Sequence, residues 1–76
     1  MNKKFYIITP CKNEEENILK FINKVNKLKI QNYDYDIVFV DDGSEDNTWK
    51  NIINNRKIYS NVNGINSLDA LAKIRL

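Results

Sequence analysis

The sequence contains no histidine and a single cysteine, Cys11. The first absence rules out histidine-dependent triads and zinc centres of the usual Cys/His kind. A lone thiol cannot close an internal disulfide, so nothing points to a secreted, disulfide-stapled scaffold. Proline and glycine are scarce, one and two copies, while Lys and Asn abound. That balance reflects an AT-rich genome more than a function. No apolar run approaches the roughly 20 residues of a membrane span. After Met1-Asn2-Lys3-Lys4 only five mostly apolar residues precede Pro10, fewer than the ~7–15 of a signal-peptide core. The expectation is a soluble, cytoplasmic chain.

An excess of one charge is also missing. Twelve basic and ten acidic residues leave a net charge of +2, and the lysines are dispersed. Solvated lysines on helix faces account for this pattern, and no like-charge block marks a nucleic-acid partner. With 76 residues there is room for one domain at most, burying a smaller share of its surface than a domain of about 100–150 residues. A composition 42% hydrophobic and 29% charged argues against disorder.

Phe5 to Thr9, apolar and ending at Pro10, reads as a buried strand. Asn13 is a candidate N-cap, and Glu14, Glu15 and Glu16 would then fall in a first helical turn, where the macrodipole favours negative charge. Ile18, Ile22, Val25 and Leu28 recur at helical spacing, which predicts a helix over about 14–29. Gln31 to Asp34 reads as a polar connection, and Tyr35 to Val40 as a second strand. Its core, Ile37-Val38-Phe39-Val40, is apolar without alternation, as in a strand covered on both faces. After the turn Asp41-Asp42-Gly43-Ser44, either Asp46 or Asn47 is positioned to cap a second helix. Trp49, Ile52 and Ile53 give that helix an apolar face to about Arg56. Ile58-Tyr59 and Val62 suggest a third strand, with Asn63-Gly64 as turn material. Ser67 to Leu76 has the spacing of a short helix. The pattern is α/β: a truncated Rossmann-like βαβ(αβ) unit with a parallel sheet and right-handed crossovers.

In such sheets, ligands bind beyond the C-terminal ends of the strands. Two polar clusters fall there, Pro10 to Glu14 and Asp41 to Ser44, and neighbouring strands would bring both to one crevice. A carboxylate at this rim suits a nucleobase imide or a ribose hydroxyl. Adjacent carboxylates on an extended strand point to opposite sides, so one of Asp41 and Asp42 would face a ligand and the other would satisfy amides of the turn. Pure turn and capping chemistry remains open for both. For Glu14 the alternative is a charge at a helix start, and for Lys12 a solvated loop cation. Cys11 reads as a small buried filler and Trp49 as a core anchor.

The two stretches "IITPCKNEEENI" (Ile7 to Ile18) and "IVFVDDGSEDNTW" (Ile37 to Trp49) resemble the opening of family-2 glycosyltransferases. The resemblance covers about residues 4–56. It implies the N-terminal part of a glycosyltransferase A-type fold, in which Pro10, Glu14 and Asp42, with Asp41 behind them, contact the base and ribose of a nucleotide-sugar. Lys12 stands where the family often has a Tyr lying against the base, and a Lys stem would cover that base only partly. Cys11, the Glu run and Trp49 lean towards the polyprenyl- or dolichyl-phosphate glycosyltransferase branch. The family's Asp-x-Asp metal motif follows a later strand and is missing. Asp34 and Asp36 form Asp-Tyr-Asp but precede the second strand, and read as loop residues. The full-length relative is expected to use Mg²⁺ or Mn²⁺ and to work at the inner face of the membrane. This chain is expected to need no cofactor and to carry no catalytic or metal residue.

Residues 1–66 therefore read as a partial nucleotide-sugar-binding domain and 67–76 as an atypical tail. The family continues with a Ser-Arg-x-Phe-Gly-Lys stretch where this chain has Ser67 to Leu76. Permitted codons for the tail, with one base restored, encode Phe-Ser-Arg-Cys-Phe-Gly-Lys. The resulting expectation is a one-base deletion near codon 67, which the gene's nucleotide sequence tests. Functionally, the expectation is a nucleotide-diphospho-sugar-binding fragment of an enzyme transferring sugar to a lipid phosphate or a saccharide, inactive alone. The alternatives are a small non-catalytic nucleotide- or protein-binding module, or a pseudogene product without function.

Overall fold

The computed structural model describes residues 3–28 and 33–67. Five elements alternate along them: β1 (Lys3–Cys11), α1 (Ile18–Leu28), β2 (Tyr33–Asp41), α2 (Thr48–Ile58) and β3 (Val62–Asn66). The strands form one sheet in the order β1-β2-β3, and both pairings are parallel. Ile7 lies beside Ile37, which lies beside Val62, so the strand ends Cys11, Asp41 and the β3 terminus Asn66 share one rim.

Two right-handed crossovers stepping the same way across a sheet place both helices on one face. The burial pattern agrees. Along β1 the odd positions Phe5, Ile7 and Thr9 are half-buried and Cys11 is buried, while Tyr6 and Ile8 are 59% and 58% exposed. Ile18, Ile22 and Val25 of α1 pack with Ile37 and Phe39 of β2, Ile52 of α2 and Val62 of β3 in a single core. Phe21 meets Phe39 edge-on, with ring centroids 5.8 Å apart, a favoured aromatic geometry. The Tyr35 hydroxyl donates to Asn26 Oδ1 at 3.2 Å, and Asn61 Nδ2 donates to the same oxygen at 2.9 Å. Asn26 thereby ties the end of α1 to β2 and to the approach to β3.

Several sequence expectations need correction. The first helix begins at Ile18, not near residue 14, and has no acidic residue in its first turn. Asn13 is no N-cap: it has a left-handed φ of 53°. The carbonyl of Asn17 accepts the bond from the Phe21 N–H at 2.9 Å, which puts Asn17 at the helix start. Asp34 and Asp36 lie within β2 rather than in a loop, and Asp36 pairs with Lys4 on the neighbouring strand at 2.9 Å. Ile58 closes α2, and Asn63-Gly64 lies inside β3 instead of forming a turn. Among the described residues, helices cover the middle strand on one face only. On the other face Val38 is shielded by its neighbours, but Tyr6, Ile8 and Ile65 (47% exposed) have no described element over them. Among the described residues no helix is long and apolar enough to cross a membrane. The helix expected over 67–76 lies, beyond Ser67, outside the described residues.

Candidate nucleotide site

The rim at the C-terminal ends of β1 and β2 is formed by two loops, residues 12–17 and 42–47. The strand pairing carries through to Cys11 and Asp41, and the Asp42 N–H then donates to the Cys11 carbonyl at 2.9 Å. This bond holds the two loop origins side by side.

Asp41 and Asp42 separate as alternation requires. The Asp41 side chain turns inward and is 1% exposed. Its Oδ1 accepts the Ser44 N–H at 3.1 Å and the Ser44 hydroxyl at a shorter distance. This is the turn-satisfying carboxylate. Gly43 supplies the bend with a φ of 71°, a conformation that side chains disfavour. Asp42, just past the end of β2, is exposed. It lines an open cavity of about 360 Å³ together with Pro10, Cys11, Lys12 and Glu14. The structure thus gathers Pro10, Lys12, Glu14 and Asp42 around one hollow, while buried Asp41 does not line it.

A second hollow of about 150 Å³ adjoins the first, sharing Pro10, Cys11 and Glu14 and running inward past Ile18, Phe21 and Phe39. Cys11 lies at the junction. Burial, followed by the nearby charge of Asp41, pushes its thiol up to about 11, which disfavours the thiolate form at neutral pH. Its Sγ donates to the Val40 carbonyl at 3.7 Å.

The two loops are laced together. Thr48, 0% exposed, accepts the Glu14 N–H on its hydroxyl at 2.7 Å, and that hydroxyl donates to Asp46 Oδ1. Asp46 Oδ1 also accepts the Thr48 N–H at 2.9 Å, and Oδ2 the Glu15 N–H at 3.3 Å. Of the two capping candidates, Asp46 fills the role; Asn47 makes no side-chain cap bond. The Thr48 hydroxyl foremost, with the backbone donors, holds the Asp46 carboxyl below its ordinary range. Asn17 Nδ2 donates to Glu14 Oε2 at 2.7 Å, orienting that carboxylate at the cavity.

Sequence reasoning placed Asn13 and Ser44 in the two rim clusters without their bond to each other, and missed Thr48 and Ser67. The Ser67 hydroxyl lies 3.5 Å from Asp42 Oδ1 at the end of β3. The Asp41–Ser44 spacing is a turn signal visible in sequence. The partners of Asn13 and Thr48 lie more than 30 residues away along the chain, and no local pattern announces them. Among the described residues no group of three or more His, Cys, Asp or Glu side chains comes together in a way that could hold a metal ion.

The profile of Glycosyl transferase family 2 matches residues 6–67, and the chain belongs to that family. It is 51% identical over 49 residues to the UDP-N-acetylglucosamine–dolichyl-phosphate N-acetylglucosaminyltransferase of Methanococcus voltae, covering 64% of this chain and 18% of that protein. It is also 51% identical over 43 residues to an uncharacterized protein of Methanocaldococcus jannaschii, covering 57% of this chain and 17% of that protein. The chain thus spans less than a fifth of the length of these curated relatives. No solved structure matches it.

Proposed function

We propose that this chain binds the nucleoside end of a nucleoside-diphosphate sugar, and that the activity it belongs to is sugar transfer to a lipid phosphate. The observation that carries the first part is the placing of Glu14 and Asp42 on one cavity at the C-terminal rim of a parallel sheet, where such sheets take their ligands. The second part draws on the Methanococcus voltae relative, whose name specifies UDP-N-acetylglucosamine and dolichyl phosphate.

In this reading Asp42, exposed and aimed at the hollow, accepts hydrogen bonds from a base imide or ribose hydroxyls. Glu14, held by Asn17, is the second acceptor. Pro10 offers a flat apolar edge, and the Lys12 stem covers part of the base. Asp41 does not touch the ligand; it shapes the turn that presents Asp42. A divalent cation on the diphosphate would supply Lewis-acid stabilisation in the full-length relative. In this reading the part that the described residues play is to hold the nucleoside end of the donor.

Calorimetric titration of the chain with UDP-N-acetylglucosamine, UDP and GDP, with and without Mn²⁺, tests this. Nucleotide binding that does not depend on the metal is the expected result. A folded chain that binds none of the three overturns the reading and favours the alternative of a protein-binding module, for which the bare apolar face at Tyr6, Ile8 and Ile65 is the supporting feature.

A further inference from the structure

Between Lys12 and Glu14, both at the cavity, stands Asn13, which does not line it. Its left-handed backbone, φ 53°, is one that Asn tolerates better than most residues. That conformation turns its N–H onto Ser44 Oγ at 2.9 Å. Its side chain reaches the same loop, Oδ1 accepting the Glu45 N–H at 2.8 Å. One residue therefore both donates to and accepts from the turn that follows Asp42. Ser44 completes the link, because the hydroxyl that accepts from Asn13 donates to buried Asp41. A continuous hydrogen-bonded path runs from Asp41 through Ser44 to Asn13, whose chain neighbour is Glu14.

We infer that Asn13 is a positioning residue: through Ser44 and Glu45 it clamps the loop after β2 against the loop after β1, setting the separation of Glu14 and Asp42 across the nucleotide cavity. The inference rests on the nucleotide-binding reading. It is distinct from the contacts themselves, since Asn13 touches no ligand. Two loops that wander independently must be ordered when a ligand bridges them, and that ordering lowers affinity. A clamp formed beforehand removes the cost.

The test uses the whole chain with Asn13→Gly, Asn13→Asp and Ser44→Ala, titrated with UDP at a temperature where thermal melts show each variant folded. Asn13→Gly keeps the left-handed φ but loses the acceptor for Glu45. Asn13→Asp keeps both. Expected are UDP affinity about tenfold weaker for Asn13→Gly and for Ser44→Ala, and recovery in Asn13→Asp when uridine, which carries no phosphate charge, is the probe. In Asn13→Gly the amide resonances of Glu14 and Asp42 should shift, while those of α1 beyond Ile22 stay. Wild-type affinity in Asn13→Gly overturns the inference. Should that variant fail to fold, wild-type affinity in Ser44→Ala overturns it equally. If the unmodified chain binds no UDP, the nucleotide reading fails on its own. The amides then decide the clamp: unchanged Glu14 and Asp42 resonances in Asn13→Gly reject it.

Discussion

Asp41 and Asp42 are consecutive in the chain and opposite in environment: Asp41 is 1% exposed and bonded to Ser44, whereas Asp42 is exposed at the cavity. Their roles should divide under substitution. Asp41→Ala leaves the Ser44 N–H and hydroxyl without their acceptor and should cost about 1–3 kcal/mol of stability. Asp42→Ala should change stability by no more than about 0.5 kcal/mol, as for most exposed sites, yet weaken nucleotide binding about tenfold or more. Paired denaturation curves and calorimetric titrations check both halves. An Asp42 variant that loses stability but not affinity would reverse the assignment.

Gly64 sits in β3 under α2. A Cβ built there would lie 2.6 Å from Ile52 Cγ2 and 3.1 Å from Trp49 Cζ3. Ile52 is fully buried and has no room to retreat. Gly64→Ala should therefore destabilise by about 1–3 kcal/mol through overpacking, measured by urea denaturation.

The thiol of Cys11, raised to about 11 by burial, should react slowly with alkylating reagents in the native chain and fast after unfolding in urea. The linkage has a definite sign. The unfolded thiol ionises near 8.5, so the folded state prefers the proton more strongly. Its contribution is fully present below about pH 8.5 and is lost as pH rises towards about 11. Cys11→Ser should flatten that alkaline decline.

Asp46 titrates the other way. Its folded carboxyl is held down by Thr48 and Glu15 donors. The stability it confers is present above its ordinary value near 3.9 and lost as pH falls through the lower, folded one. Acid unfolding followed by circular dichroism should become less steep in Asp46→Ala, with lower stability at neutral pH.

The alternation of strand and helix was legible because apolar runs and helical spacing are local. Ile37-Val38-Phe39-Val40 and Ile18-Ile22-Val25 announced their elements directly. The start of α1 was not legible. Asn13 and three glutamates look like a cap and a first turn, but the Glu14 and Glu15 amides are taken by Thr48 and Asp46 across the rim, and those tertiary bonds hold the chain out of the helix until Ile18. Asn63-Gly64 misled in the same way: Asn-Gly favours turns, yet here the glycine makes room for Trp49 and Ile52 against the strand. The opposition of Asp41 and Asp42 followed from strand alternation alone. Alternation left open which of them faces the cavity; the family resemblance pointed to Asp42, and the bonds to Ser44 hold Asp41 inward.

The central claim is that a nucleoside settles in the hollow bounded by Pro10, Lys12, Glu14 and Asp42. The most direct measurement is ¹⁵N-resolved amide mapping during titration of the chain with UDP. The account predicts saturable shifts concentrated in residues 11–15 and 41–44, with the outer face at Tyr6, Ile8 and Ile65 unmoved. Shifts confined to that outer face, or none at any UDP concentration in a well-dispersed spectrum, would contradict it.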